Sequence, residues 1–329
     1  MYTYKEIWGN GRLLKQLQNA VKNQKTSHAY LFVGGNGSGK EMIAKTFAKH
    51  LLCRELYDEP CGVCDSCCVF DGQNHPDLIH VRAEKKTLGV DEIREQVLET
   101  VDIKPYQYEK KIYIIHQAHT MTIQAQNALL KTLEEPPTYV VFLLLAQSVD
   151  AFLQTVLSRT VILKIYPNTE AEIGEYLTRK KLVSSEEASF FATYGQGRIG
   201  HALELIEDET FGQMREDVLT KMSQLPTMNL AEALLLAKEW EIYKNDYRFL
   251  DIIDLWYRDL LVAKSLKNDH FIIQKDKKEM IFLAASEPAE VLAKKAAAVI
   301  KAKERIKQNG NFRLILEIML MELKENRNQ

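Results

Sequence analysis

The run Gly34 to Glu41 reads GGNGSGKE and lies between a short apolar stretch, Ala29 to Val33, and a segment with helical periodicity at Ile43, Phe47 and Leu51. A glycine turn leading from a buried strand into a helix constrains this chain more than any other feature. Gly34, Gly35, Gly37 and Gly39 permit positive φ angles and close backbone approach, so successive N–H groups converge on an anion at a helix start. Lys40 then reaches the outer phosphates of a nucleotide, in the G-x-x-x-x-G-K pattern of phosphate-binding loops. Gly34, Gly37, Gly39 and Lys40 are therefore the candidate residues for ATP or ADP.

The last position of the pattern departs from it. Glu41 stands where a Ser or Thr would bind magnesium, and its longer anionic side chain crowds and repels a phosphate. Downstream, the apolar run Ile112 to Ile115 ends in His116-Gln117-Ala118-His119, where a working ATPase of this kind carries an Asp and a Glu. Hydrolysis needs a carboxylate to hold the metal or orient the attacking water. The chain thus reads as a non-hydrolysing descendant of a nucleotide hydrolase, with nucleotide binding left open.

With 329 residues, of which 46% are hydrophobic, the chain can bury sizeable cores in two or three domains. Its 43 basic and 45 acidic residues give a formal charge of -2, so no global field favours nucleic acid. The N-terminus lacks the apolar stretch of a signal peptide, and no window approaches the roughly 18 apolar residues of a membrane span. A cytoplasmic location without membrane association is expected.

All five cysteines fall within residues 53–68, and Cys53, Cys61, Cys64 and Cys67 are spaced C-x7-C-x2-C-x2-C. Four thiolates from tight turns make the closed tetrahedral set of structural Zn2+, leaving no position for a reactive water. The odd count and close spacing weigh against a disulfide framework. Cys68 is an alternative fourth ligand, and the regular two-residue gap favours Cys67.

Along the chain, apolar runs at Leu78 to Val81, Ile112 to Ile115, Tyr139 to Leu145 and Val161 to Ile165 alternate with helical patterns. Those helices are expected at about Val90 to Val101, up to Pro136, and from about Asp150 to Leu157. Such alternation predicts a parallel sheet covered on both faces. Thr169-x-x-Glu172 and Ser184-x-x-Glu187 read as capping boxes, and Gly195-Gln196-Gly197 breaks into a third helix. Beyond them no glycine occurs between Gly212 and Gly310, while Ala231 to Lys238, Phe249 to Ala263 and Val291 to Ile306 carry helical spacing. The apolar residues of Asp251 to Leu261 read mainly as core. The expected division is an α/β domain at 1–166 with the cysteine insertion, a small helical domain at 167–208, and an all-helical domain at 209–329.

HAYLFVGGNGSGK (His28 to Lys40), the four-cysteine insertion, HPDLIHV (His75 to Val81), NALLKTLEEPP (Asn127 to Pro137) and LSRT (Leu157 to Thr160) together resemble the delta-prime subunits of the bacterial DNA polymerase III clamp loader. That resemblance implies the AAA+ fold, with a RecA-like domain, a helical lid and a C-terminal collar through which five subunits form an open ring. It implies gamma/tau ATPase subunits and the clamp-opening delta subunit as partners, with the sliding clamp and primed DNA reached through the complex. Polymerase activity belongs to the holoenzyme, and no paired acidic site for nucleotidyl transfer is visible here. By the same resemblance Ser158, Arg159 and Thr160 match a Ser-Arg-Cys motif whose arginine points into a neighbour's ATP site, and Arg198 matches the sensor arginine of the lid. Thr160 departs from the family's cysteine, and the guanidinium still carries the charge.

The remaining candidates read as less chemical. His75, His80, His116 and His119 have no carboxylate at suitable spacing and are expected to be satisfied loop or core residues. Glu134-Glu135, at a helix end before two prolines, are expected to face solvent or a neighbour. Lys85-Lys86 and Lys110-Lys111 are short basic runs of solvated loops or of DNA contacts. An active AAA+ ATPase and a zinc-dependent DNA-binding regulator stand as the alternative functions.

Overall fold

The computed structural model of the protein describes residues 2–55, 57–180, 182–244, 246–266, 271–308 and 310–324. They form two compact units, Met1–Ile173 with Gly195–His201, and Gly174–Tyr194 with Ala202–Gln329.

The first unit is built on five parallel strands, β1 (Ala29–Val33), β2 (Leu78–Val81), β3 (Lys111–Ile115), β4 (Val140–Ala146) and β5 (Val161–Lys164), in the order β2-β3-β4-β1-β5. Every residue of β3 and β4 is buried, as expected for strands covered on both faces. Alternate side chains point to opposite faces. Tyr30, Phe32, Ile112, Ile114, Val141 and Leu143 pack with Leu17 and Phe47 on one side. Leu31, Tyr113, Ile115, Phe142 and Leu144 pack with Val97, Leu129 and Leu133 on the other. The helices responsible are Gly11–Lys22 and Lys40–Leu52 on the first face, and the run from Val90 to Val101 with Ile123–Glu134 on the second. The Val90 to Val101 run contains a π-helical turn at Arg94–Leu98.

The helix expected from about Asp150 begins only at Gln154. The reason is tertiary: buried Gln126 donates to Ala151 O at 2.8 Å and accepts from Leu153 N at 2.9 Å, holding those residues in a turn. Lys111 also departs from the expected basic loop. Its ammonium is buried and donates to the carbonyls of Thr100 and Ile103 at 2.6 and 3.1 Å, closing the end of the preceding helix.

The second unit is helical throughout its described residues. Glu209–Gln224, Leu230–Glu239, Arg248–Leu266, Ala289–Lys307 and Phe312–Lys324 enclose Trp240, Phe249, Trp256 and Leu316. Phe190 and Tyr194 of Ser185–Tyr194 enter the same core, and Arg215 lies 3.9 Å over the Phe190 ring. Of Asp251 to Leu261, Ile252, Ile253, Trp256 and Leu260 are buried, and Leu255 and Leu261 pack against that core. Both capping boxes form: Glu172 N donates to Thr169 Oγ1 at 3.2 Å and Thr169 N to Glu172 at 2.8 Å, with the matching pair at 3.2 and 3.1 Å between Ser184 and Glu187. Among the described residues no helix is long and apolar enough to cross a membrane.

Candidate functional site

Three constellations occupy different parts of the sheet unit. The first is the glycine loop, which leaves β1 at the C-terminal edge of the sheet, beside the point where strand order reverses. Gly37 and Gly39 have φ of +72° and +81°, which only glycine adopts without strain. Gly37 must also lack a side chain because a Cβ there would lie 2.6 Å from His201 N, and its carbonyl accepts from Gly200 N at 2.9 Å. Lys40 Nζ donates to Gly34 O and Gly35 O at 3.1 and 3.0 Å, and burial lowers its pKa. Arg198 lies beside the loop, its Cδ 3.6 Å from where a Cβ on Gly35 would stand, and donates to Gln196 Oε1 at 3.2 Å.

The positions that would serve a metal are filled differently. Glu41 pairs with Lys45 at 2.8 Å, and Arg82 Nη2 and His116 Nδ1 each approach to 3.9 Å. Burial opposes its charge, but the hydrogen bond and charge of Lys45, with Arg82, hold Glu41 below the usual carboxylate range. His116, buried at the end of β3, has Nε2 3.0 Å from His80 Nδ1, and burial with the Arg82 charge pushes its pKa down to about 4. Glu41 is a carboxylate near His116 that spacing in the sequence did not suggest, and among the described residues these histidines form no metal-holding group. The glycine-loop helix starts at the sheet edge where β3 ends, which brings Glu41 to His116. The loop therefore offers N–H groups and a cation to a phosphate, while the end of β3 offers an imidazole and an amide.

The second constellation surrounds Arg159. β5 starts at Val161 opposite Tyr30, whereas Val33, the residue before the loop, pairs with Lys164. Arg159 thus lies at the N-terminal edge of the sheet, roughly 20 Å along the strands from the glycine loop of its own chain. Its Nη2 pairs with Glu134 at 2.8 Å, and its Nη1 donates to Thr155 O at 2.9 Å and to Ser158 Oγ at 3.2 Å. Ser158 Oγ in turn donates to Thr155 O at 3.1 Å. A recess of about 580 Å³ opens beside them, lined in part by His28, Glu134, Ser158, Arg159 and Thr160. Glu134 is exposed, as expected, and it also pairs with Arg159, because the end of helix Ile123–Glu134 meets the turn before β5.

The third is the cysteine insertion. The sulfurs of Cys53, Cys61, Cys64 and Cys67 all lie within 4.8 Å of one another. Tetrahedral zinc with Zn–S bonds of about 2.3 Å requires sulfurs about 3.8 Å apart, and Cys61 and Cys67 are separated by 3.9 Å. Backbone N–H groups of Glu55 and Cys61 point at Cys53 Sγ, each at 3.4 Å, and Cys64 N points at Cys61 Sγ at 3.3 Å. Burial raises the Cys53 and Cys67 thiols. For Cys64 burial is outweighed by backbone hydrogen bonds from Arg54 and Cys67, bringing it to about 7. Four thiols gathered this closely, two of them buried, ionise together only around a cation, so the donor set fits a metal. Cys68 is exposed, with Sγ 3.7 Å from Val63 O, outside the cluster.

The insertion is tied down by residues to which sequence reading assigned no role. Buried Lys49 pairs with Asp71 at 2.8 Å, and Ser66 Oγ donates to Leu52 O at 2.6 Å and meets His75 Nε2 at 3.2 Å. Asp77, also buried, accepts from the N–H groups of Tyr106, Gln107 and Tyr108 at 2.6, 3.2 and 3.1 Å. The available signal was the His75-Pro76-Asp77 tripeptide, which points to a loop clamp only once its partners are known.

Comparison with known proteins places the chain in one family. Residues 9–169 match the family described as DNA polymerase III, delta subunit, and residues 210–325 match its C-terminal counterpart. The chain is 29% identical over 319 residues to DNA polymerase III subunit delta' of Bacillus subtilis, covering 95% of this chain and 96% of that one. It is 28% identical over 354 residues to subunit tau of the same bacterium, covering 99% of this chain and 62% of tau, so it spans less than two thirds of that relative. A gamma subunit-related protein of Thermotoga maritima aligns in structure over 95% of this chain and 98% of its own, at 18% identity and a TM-score of 0.46. The chain belongs to the delta-prime family of DNA polymerase III clamp-loader subunits.

Proposed function

We propose that this chain is a clamp-loader subunit that does not hydrolyse ATP itself and supplies Arg159 in trans to the ATP site of a neighbouring gamma/tau subunit. The observation that carries the reading is the position of Arg159 at the sheet edge opposite its own glycine loop. A guanidinium there cannot serve the chain's own phosphate site, and it can serve one presented by another subunit. Ser158 supports it through the hydrogen bond to Nη1. Charge building on a transferred phosphoryl group is what such a donor stabilises.

His116 and Gln117 in place of acids, with Glu41 in place of a hydroxyl, favour a loop that keeps phosphate chemistry at Gly34, Gly37, Gly39 and Lys40 without turnover. The four cysteines favour Zn2+ as a structural ion that stiffens residues 53–68. In the same reading residues 167–208 act as the lid and 209–329 as the collar. The delta subunit, the sliding clamp and primed DNA are partners through the complex, in the cytoplasm.

The test is steady-state ATP turnover by the purified chain alone, and then with the ATPase and delta subunits, clamp and primed DNA. The chain alone gives background turnover. In the complex, Arg159→Ala leaves assembly and zinc content intact and slows the facing site by roughly a thousandfold, seen across the ring as loss of that site's share of turnover. Robust turnover by the chain alone, abolished by Lys40→Ala, would make it a motor instead.

A further inference from the structure

We infer that Glu134 is a positioning residue for Arg159, fixing the guanidinium so that it meets a neighbour's phosphate already oriented. This inference rests on the trans-acting reading above. A free arginine side chain spreads over many rotamers, and holding it in one costs entropy unless its donors are anchored. Here the anchors come from two elements. Nη2 is held by Glu134 from the end of one helix, and Nη1 by Thr155 O and Ser158 Oγ from the turn before β5. Three of the five guanidinium N–H groups are thereby engaged, leaving two for an incoming oxyanion.

The placement of Glu134 runs against local preference. It is the last residue of helix Ile123–Glu134, where the helix dipole disfavours an acid. Its backbone is nonetheless rigidly seated, because Leu129 and Leu133 of the same helix are buried against the sheet. A local rule broken on a firm support is what a functional position looks like. Stability does not account for it: the Arg159 and Glu134 side chains are 33% and 49% exposed, and such pairs add little to folding. What the pair supplies is orientation.

The experiment measures kcat and KM for ATP of the reconstituted complex carrying Glu134→Ala, Glu134→Gln, Arg159→Ala or the Ala–Ala double variant. Glu134→Ala slows the facing site about tenfold, giving the complex most but not all of the turnover loss of Arg159→Ala, with KM within about twofold. Glu134→Gln, whose amide oxygen accepts the same N–H, restores at least about half of the turnover lost in Glu134→Ala. The double variant is no slower than Arg159→Ala alone, since both act through one group. Wild-type kcat in Glu134→Ala, with Arg159→Ala still slow, overturns the positioning role and leaves the trans-acting reading standing. Multiplying effects in the double variant overturn it equally, by showing that Glu134 acts elsewhere. An Arg159→Ala complex at wild-type speed overturns the underlying reading itself.

Discussion

His116 is a base that burial keeps uncharged, and that state has a measurable sign. Its pKa falls from the ordinary 6.5 to about 4, chiefly through burial. Between those values the unfolded chain binds a proton that the folded chain refuses, so stability attached to His116 is full above pH 6.5 and lost as pH falls toward 4. His116→Gln, which can still meet His80, removes that dependence. Urea unfolding at pH 7 and pH 5 is expected to show the variant losing about 1–2 kcal/mol less than wild type on acidification. Burial also lowers His50, His75, His80 and His119, so a slope of the same sign persists in the variant. Equal losses in the two proteins would mean that His116 is charged in the fold, paired with Glu41.

At the scale of elements, the cysteine insertion gathers four thiols that fit one ion, and on the proposed reading that ion stiffens it. Its protein anchors are Lys49 to Asp71 and Ser66 to Leu52 at the flanks, with Phe70 buried in the sheet core. A structural zinc site supplies several kcal/mol of local folding energy. Cys64→Ser is expected to abolish zinc, read by mass spectrometry as one ion per chain in wild type, and to open residues 53–75 to proteolysis and amide exchange. Cys68→Ser keeps the full ion. Zinc retained in Cys64→Ser would require a different ligand set.

The strands and caps were legible because their signals are local. Buried parallel strands read as continuous apolar runs, and a capping box spans only one helical turn. The late start at Gln154 was not legible, since Gln126 imposes it from another helix. Glu41 beside His116, Glu134 on Arg159 and Asp77 under Tyr106 are likewise products of topology, which joins residues far apart in sequence at one sheet edge or loop.

The whole molecule carries almost no net charge, and many of its bases are already committed. Lys49 is paired with Asp71, Arg215 with Asp276, Arg248 with Asp208 and Asp246, and Lys303 with Asp251 and Asp254, while Lys111 holds two carbonyls. DNA affinity grows with the number of phosphates neutralised, and that number sets its salt dependence. A chain of formal charge -2 with so many engaged cations should neutralise few. Fluorescence anisotropy with duplex and primed DNA is therefore expected to give the isolated chain a Kd weaker than about 10 µM at 0.15 M salt. The log–log salt slope should stay shallower than about -3, with no sequence preference and no change on chelation. On the proposed reading, affinity for primed DNA is expected only of the assembled complex, where several subunits add their contacts. Nanomolar, sequence-preferring binding by the chain alone, lost with its zinc, would make it a DNA-binding regulator, and Arg159 would then need another explanation.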